Sequence, residues 1–510
     1  MMKVTLDQFK KCLFHRNLEV MNFEDLSCRI RGLHKDEEIC KSDTQETFDS
    51  LLELYAHFYS IMEANLHILG TALNFQEDLR KRRVECESSV ERKWIRHLTE
   101  YAYISVEDFH PESLSLIQGD FQDASTREQL LLLLYVWVRR LDLFLGYMDY
   151  RSTATQGLFP YEVSRGRLIK KYRNTLGLHV QEQTHKSLTD PNYLDLRNDI
   201  SSVFLIPRTS DSYKVKPVSV SDAQHIQMVN LTKDWDHVRF GFFPGLLESF
   251  DEYDWHSEDR GHGETLFHFK EVQRESYRES VLQAVQALAE RMPHFIMLPE
   301  LTTPFGLQDQ IGQLFSSGKA DGLVMPGSFH VSGEELGDGH EPGRVYNYSQ
   351  VWSKNGRKLV GVYKMNRFEF TAKEPCCESL KPYLKSKGVE QIDYTHRTLQ
   401  LIETPMGLVA VLICVDAIVD QVEQILKDYH VALVFVMAMT GNPGGSHFEE
   451  KMKRLGKCNQ AVTVVCNNPL GLQLTGKSHT VVVYFPLPNK VYTDERRDFI
   501  IDVGEMYRNG

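Results

Sequence analysis

The chain has 510 residues, of which 42% are hydrophobic and 25% charged, with a formal net charge of −12. At about 150 residues per domain this length allows two to four domains of ordinary globular composition. It excludes disorder over the whole length, a collagen-like repeat and a disulfide mini-protein. The acidic balance argues against a dedicated nucleic-acid coat, whose phosphate contacts need clustered Lys and Arg.

The opening stretch, MMKVTLDQFKK, has no apolar run and does not read as a signal peptide. Nine cysteines are scattered along the chain without a zinc-type CxxC pair. An odd, dispersed set in a long chain predicts reduced thiols and a cytoplasmic protein. Residues 1–190 read as a mainly α-helical domain. Apolar residues recur at helical spacing over Thr47–Leu79, Glu91–Tyr103 and Thr126–Tyr147. The longest apolar run, Leu130–Val138, follows a capping-box pattern at Ser125–Glu128 and is closed by Arg139 and Arg140. It is too short for a bilayer of about 30 Å, so it predicts a buried helix and no membrane partner. Arg165, Arg167, Lys170, Lys171 and Arg173 are expected on one helix. Such a cluster is a solvated face or a contact for a protein or nucleic-acid partner.

Residues 191–235 are turn-rich and read as a connecting region. From 236 to 510 strands and helices alternate, which predicts a layered α/β domain. Val238–Phe243, Phe295–Leu298 and Gly322–Val331 are expected strands, and Glu271–Arg291 an expected helix. Asn355-Gly356 predicts a hairpin between Val345–Ser353 and Arg357–Lys364. A second hairpin joins Thr398–Glu403 to Leu408–Ile413. Val431–Ala438 is continuously apolar, as a strand buried on both faces requires.

Three polar residues close apolar strands: Glu300 after His294–Pro299, Lys364 after Leu359–Tyr363, and Cys414 after Val411–Ile413. Strand ends are where layered α/β folds place their sites. Each alone has a structural explanation; the ordered set suits a thiol nucleophile. Glu300 would take the thiol proton as general base. Lys364, with the backbone N–H of Val415, would face the developing oxyanion. The thioester would then be hydrolysed by a water that Glu300 activates.

This ordered set, Pro-Glu, then Lys after a hairpin strand, then Cys after an apolar strand, resembles the nitrilase (carbon–nitrogen hydrolase) superfamily over about residues 236–503. The resemblance implies a four-layer α-β-β-α sandwich, with Glu300 as base, Lys364 as oxyanion stabiliser and Cys414 as nucleophile. It implies a small amide-type substrate, sandwich-on-sandwich homo-oligomers, and no metal or organic cofactor. The chain departs from many amidase-type members: Cys414-Val415-Asp416 keeps the acidic residue but lacks the Arg and Pro-Glu that follow. Val415-Asp416, where nitrilases proper often carry Trp-Glu, favours amides over nitriles. The family's second glutamate often lies about eight residues after the Lys, where this chain has Ala372. Glu374 is the preferred residue to orient Lys364, with a plain surface carboxylate as the other reading.

Gly441-Asn442-Pro443-Gly444-Gly445 lacks P-loop spacing. In the resembled fold it borders the pocket, which makes Asn442 a candidate substrate contact. His256, His262 and His268 fit no tight metal pattern, and Cys376-Cys377 reads as incidental. The leading expectation is hydrolysis of a nonpeptide C–N bond. The alternatives are a nitrilase-fold binding or regulatory protein, by analogy within a bacterial antiviral module, and an acyltransferase.

Overall fold

The computed structural model describes residues 41–83, 85, 126–152, 161–164, 166–171, 200, 202–207, 213–316, 321–337, 339–371, 387–473, 479–486, 490–496 and 498–509. The expected helix Glu91–Tyr103 and the residues Arg165, Arg173, Glu374, Cys376 and Cys377 lie outside them. The chain divides into two compact units, residues 1–171 with 186–209, and 172–185 with 210–510.

In the first unit, helix α1 (Lys41–Phe75) packs on α2 (Arg127–Ser152). Leu52, Tyr55, Ala56, Tyr59 and Met62 are buried at the spacing of one helical face. The Leu130–Val138 run is buried within α2, as its composition predicts. Three strands, β1 (Tyr161–Val163), β2 (Gly166–Lys170) and β3 (Val203–Pro207), form an antiparallel sheet. This corrects the all-helical reading of the basic cluster. Arg167 and Lys170 lie on β2, where Arg167 faces Glu162 across the β1–β2 hairpin and forms an ion pair with it. A cross-strand charge pair and the apolar Leu168-Ile169 centre favour the strand over a solvated helix face. The sheet is held to the helices through buried Asp142 of α2, whose carboxylate accepts the N–H groups of Ser202 and Val203. Tyr55 donates its hydroxyl to the Val203 carbonyl at 2.7 Å.

The second unit begins with β4 (Lys214–Ser219) and α3 (Asp222–Val229), then β5 (Arg239–Phe242), β6 (Tyr253–Gly261), β7 (Glu264–Val272) and α4 (Tyr277–Glu290). It continues with β8 (Phe295–Met297), α5 (Phe305–Gln313), β9 (Leu323–Met325), β10 (Ser328–Ser332), β11 (Val345–Ser353), β12 (Lys358–Tyr363), β13 (Glu369–Thr371) and β14 (Lys387–Glu390). The last stretch holds β15 (Thr398–Thr404), β16 (Gly407–Ile413), α6 (Asp420–Asp428), β17 (Leu433–Ala438), α7 (Ser446–Asn459), β18 (Val462–Asn467), β19 (Val481–Tyr484), β20 (Val491–Asp494) and β21 (Phe499–Asp502).

One seven-stranded sheet runs β10-β11-β9-β8-β5-β21, with β12 also paired to β11; the other runs β20-β19-β18-β17-β16-β15-β4. They share one apolar core. Phe240, Phe295 and Met325 from the first sheet meet Val411, Phe435 and Val464 from the second. The opposite face of the first sheet buries Ile296, Leu298 and Val324 against Val281, Val285 and Leu288 of α4 and Leu307 and Ile311 of α5. Helices α6 and α7 pack together, and α7 packs on β18 and β19. The result is the four-layer α-β-β-α sandwich that the resemblance implies. Strands β16, β17 and β18 pair in parallel and are buried along their whole length, which accounts for their unbroken apolar sequence.

Two boundaries differ from expectation. Part of the expected connecting region belongs to the sandwich, because β4 pairs in parallel with β15 and Met228, Leu231 and Trp235 enter the two-sheet core. The expected helix from Glu271 starts only at Tyr277, and the polar stretch before it is the β6–β7 hairpin. Most of β6 is exposed, so its charged sequence hides the strand period. This hairpin extends into a four-stranded sheet, β13-β14-β7-β6. His256 and His268 meet across it as a tilted pair with ring centroids 4.6 Å apart.

No helix among the described residues is long and apolar enough to cross a membrane. The two-sheet core yields a direct test. Phe435 lies 5.4 Å from Phe295 and 6.0 Å from Phe240 between ring centroids. Phe435→Ala is expected to cost the C-terminal unit about 3–5 kcal/mol in urea unfolding, and Phe435→Leu clearly less. An unchanged midpoint for the alanine variant would contradict this packing.

Candidate active site

Glu300 leaves β8 on a turn held from several sides. Its carbonyl accepts the Asn468 side-chain amide at 3.1 Å. The next residue, Leu301, has φ of 58°, and its carbonyl accepts the Tyr253 hydroxyl at 2.7 Å. Lys364 follows β12, and its N–H donates to the Asn347 carbonyl at 2.8 Å, one step beyond the β11–β12 ladder. Cys414 follows β16 with φ of 50°, in the left-handed region that a non-glycine residue enters at a cost of about 1–3 kcal/mol. A sharp turn at a strand end presents its side chain away from the sheet, as nucleophile turns do.

These three strand ends converge. Lys364 Nζ donates to Glu300 Oε1 and to Glu390 Oε2, each at 2.6 Å. The Cys414 thiol donates to the Met439 carbonyl at 3.9 Å, and the Glu300 charge acts on it. Cys414, Glu300, Lys364 and Glu390 are all buried. Val415 is half-buried in the first turn of a 3-10 segment, Cys414–Ile418, where backbone N–H groups have no acceptor within the helix.

Among the described residues, the second carboxylate on Lys364 is Glu390, which the sequence reading did not single out; the expectation for Glu374 lies outside them. Glu390 closes β14, 26 residues after Lys364, and is held by several donors. The Phe368 N–H donates to its Oε2 at 3.0 Å, and the Asn347 amide to its Oε1 at 3.0 Å. His330 Nδ1 accepts the Phe269 N–H, which puts the ring proton on Nε2, 3.0 Å from Glu390 Oε1. The same Asn347 amide donates to Glu300 Oε1 at 2.9 Å, so one side chain spaces both glutamates.

Asp416 acts as a clamp. Its carboxylate accepts the Met365 N–H at 2.9 Å and the Asn366 amide at 2.7 Å, tying the Cys414 turn to the segment after Lys364. Asn442 is not drawn into this cluster. It is exposed, with its side chain over Gly445. The neighbouring loop is fixed instead by Asn467, which pairs with the backbone of Thr440 in both directions at 2.9 Å.

Three residues escaped the sequence reading: Glu390, Asn347 and His330. Asn347 and His330 did leave a signal. They are polar residues inside strands that are otherwise buried, β11 and β10.

Electrostatics follow from burial and pairing. Burial raises the Glu300 carboxyl above its ordinary value; Lys364 opposes the rise and Glu390 adds to it. Burial alone would also raise Glu390, but Lys364 and His330 outweigh it and hold that carboxyl well below the usual range. Lys364 has lost water too, yet the two carboxylates drive its pKa up, so it remains an ammonium. Burial and then the Glu300 charge push the Cys414 thiol well up, while Lys364 pulls it down. Burial raises Asp416 to about 7 against its two hydrogen-bond donors. Among the described residues, no group of three or more His, Cys, Asp or Glu is placed to hold a metal.

No family model matches this chain, and no curated protein matches it. Solved structures similar to it include an amidase from Nesterenkonia sp., at 11% identity over 54% of this chain and 97% of that one, with a TM-score of 0.33. Another is a mutant of that amidase showing covalent addition of the acetamide moiety of fluoroacetamide at the active site cysteine. It is 10% identical over 53% of this chain and 94% of that one, with a TM-score of 0.34. The C. elegans NitFhit protein is 13% identical over 53% of this chain and 62% of that one, with a TM-score of 0.33.

The charge arrangement has a consequence that needs no substrate. Because the Glu300 charge raises the thiol, Glu300→Gln is expected to lower the apparent pKa for alkylation of Cys414 by iodoacetamide. The rate is followed against pH by peptide mass spectrometry. An unchanged or higher pKa in that variant would contradict the effect of the Glu300 charge on the thiol.

Proposed function

We propose that the C-terminal unit hydrolyses a nonpeptide carbon–nitrogen bond of an amide through a Cys414 thioester. The observation that carries this reading is the Lys364 ammonium between Glu300 and Glu390, beside a cysteine on a strained strand-end turn.

The steps balance within these groups. Glu300 takes the Cys414 proton as the sulfur forms a bond to the amide carbon. The carbonyl oxygen becomes an oxyanion, and the Lys364 ammonium and the Val415 N–H are its candidate donors. Collapse breaks the C–N bond, and protonated Glu300 returns its proton to the leaving nitrogen. Glu300 then removes a proton from water, which attacks the thioester; the acid leaves and the thiol is restored. A buried thiol of raised pKa suits this order, because its proton leaves in concert with attack rather than in a standing thiolate. Glu390 takes no proton. Its hydrogen bonds and low pKa keep it an anion that holds Lys364 in place.

The test is product release from a panel of small amides, with folding checked by circular dichroism. Cys414→Ala is expected to abolish turnover with the fold retained, and Glu300→Gln to lower kcat by about 10²–10⁴-fold. Activity should rise with pH as Glu300 loses its proton, and its raised pKa places that limb above the ordinary carboxylate range. Turnover that survives Cys414→Ala would refute the reading.

A further inference from the structure

Arg367, three residues after Lys364, and Arg397 share one aromatic ring, and neither meets a carboxylate among the described residues. Arg367 stacks on Tyr394 at 4.4 Å from the ring centroid, and Arg397 stacks on the same ring at 5.4 Å. Arg397 also lies 5.4 Å from the centre of the Tyr213 ring. Stacking of this kind orients guanidinium planes but leaves their edge N–H groups unspent. Arg367 Nε donates to the Ile392 carbonyl at 3.2 Å. Arg397 is half-buried, and its Nε is buried with no acceptor among the described residues. Neither guanidinium pairs with a carboxylate among the described residues. A buried donor left unpaired on a cation is unfavourable unless something else completes it.

The group is tied to the reactive centre on two sides. Arg367 is flanked by Asn366, which bonds Asp416, and by Phe368, whose N–H bonds Glu390. The Phe368 ring lies 5.9 Å from Lys364 Nζ and is partly exposed, so it stands between buried Lys364 and solvent. The Tyr213 hydroxyl donates to Asn366 Oδ1 at 2.8 Å. Tyr213, on which Arg397 stacks, is therefore joined through Asn366 to Asp416, and Arg367 lies in the chain between Asn366 and Phe368.

We propose that Arg367 and Arg397 bind a carboxylate on the substrate, which makes the substrate class an amide that carries an acid group. This rests on the Cys414 chemistry proposed above. Planar guanidiniums match carboxylate geometry and give charge-assisted hydrogen bonds. A neutral amide of the same length would leave both cations unpaired.

The experiment uses the full chain and protection of Cys414 from iodoacetamide, read by peptide mass spectrometry. Glutaramic acid, a monoamide with a free carboxylate, is compared with glutaramide, its neutral diamide. The acid is expected to half-protect Cys414 at a concentration at least about tenfold lower. The gap should narrow in Arg367→Gln and in Arg397→Gln, and shrink in wild type at high salt. Equal protection by the two compounds, protection by neither, or a preference that survives the double variant would overturn the proposal. A Cys414 that iodoacetamide labels only after denaturation would instead remove the reactive thiol on which the proposal rests.

Discussion

One buried cation organises this site. Lys364 is almost fully buried between two carboxylates, each 2.6 Å from its ammonium. An isolated charge at such depth is strongly unfavourable, and removing one partner of a buried pair costs about 3–5 kcal/mol. The surrounding residues can be understood from that constraint. Two glutamates against one lysine leave a surplus negative charge, and Asn347, His330 and the Phe368 N–H all donate to it. The donors are divided unequally, and so are the consequences. Glu390 receives more of them and stays anionic, while Glu300 retains a raised pKa and can exchange a proton.

The scaffold serves this arrangement by bringing strand ends together. Glu300 and Lys364 come from the first seven-stranded sheet, Cys414 from the second, and Glu390 from the small sheet built on the β6–β7 hairpin. Packing between the two large sheets therefore sets the distance between Glu300 and Cys414. Asp416 adds a local tie, since it bonds the backbone directly after Lys364 from two residues after Cys414. The left-handed φ of Cys414 is strain that β16, buried and paired on both edges, is rigid enough to hold.

A layered α/β domain was legible because its strands are apolar and its hairpins carry turn residues, as at Asn355-Gly356 and Pro405-Met406, while the four-layer sandwich came from the family resemblance. Glu300, Lys364 and Cys414 were legible because a polar residue that closes an apolar strand stands out. Glu390 was not, because 26 residues separate it from Lys364 and only tertiary contact relates them. The β6–β7 hairpin was hidden by its exposed, charged face, and β2 by a basic run that resembles a solvated helix. Both are cases in which pairing partners, rather than local pattern, decide the conformation.

Everything in this mechanism passes through acylation of Cys414. Intact-mass and peptide mass spectrometry after incubation of the full chain with a library of small amides tests it most directly. The expected result is an acyl adduct on Cys414 that hydroxylamine removes, with buried Cys466 unmodified. An acyl group found on other residues while Cys414 stays free would contradict it.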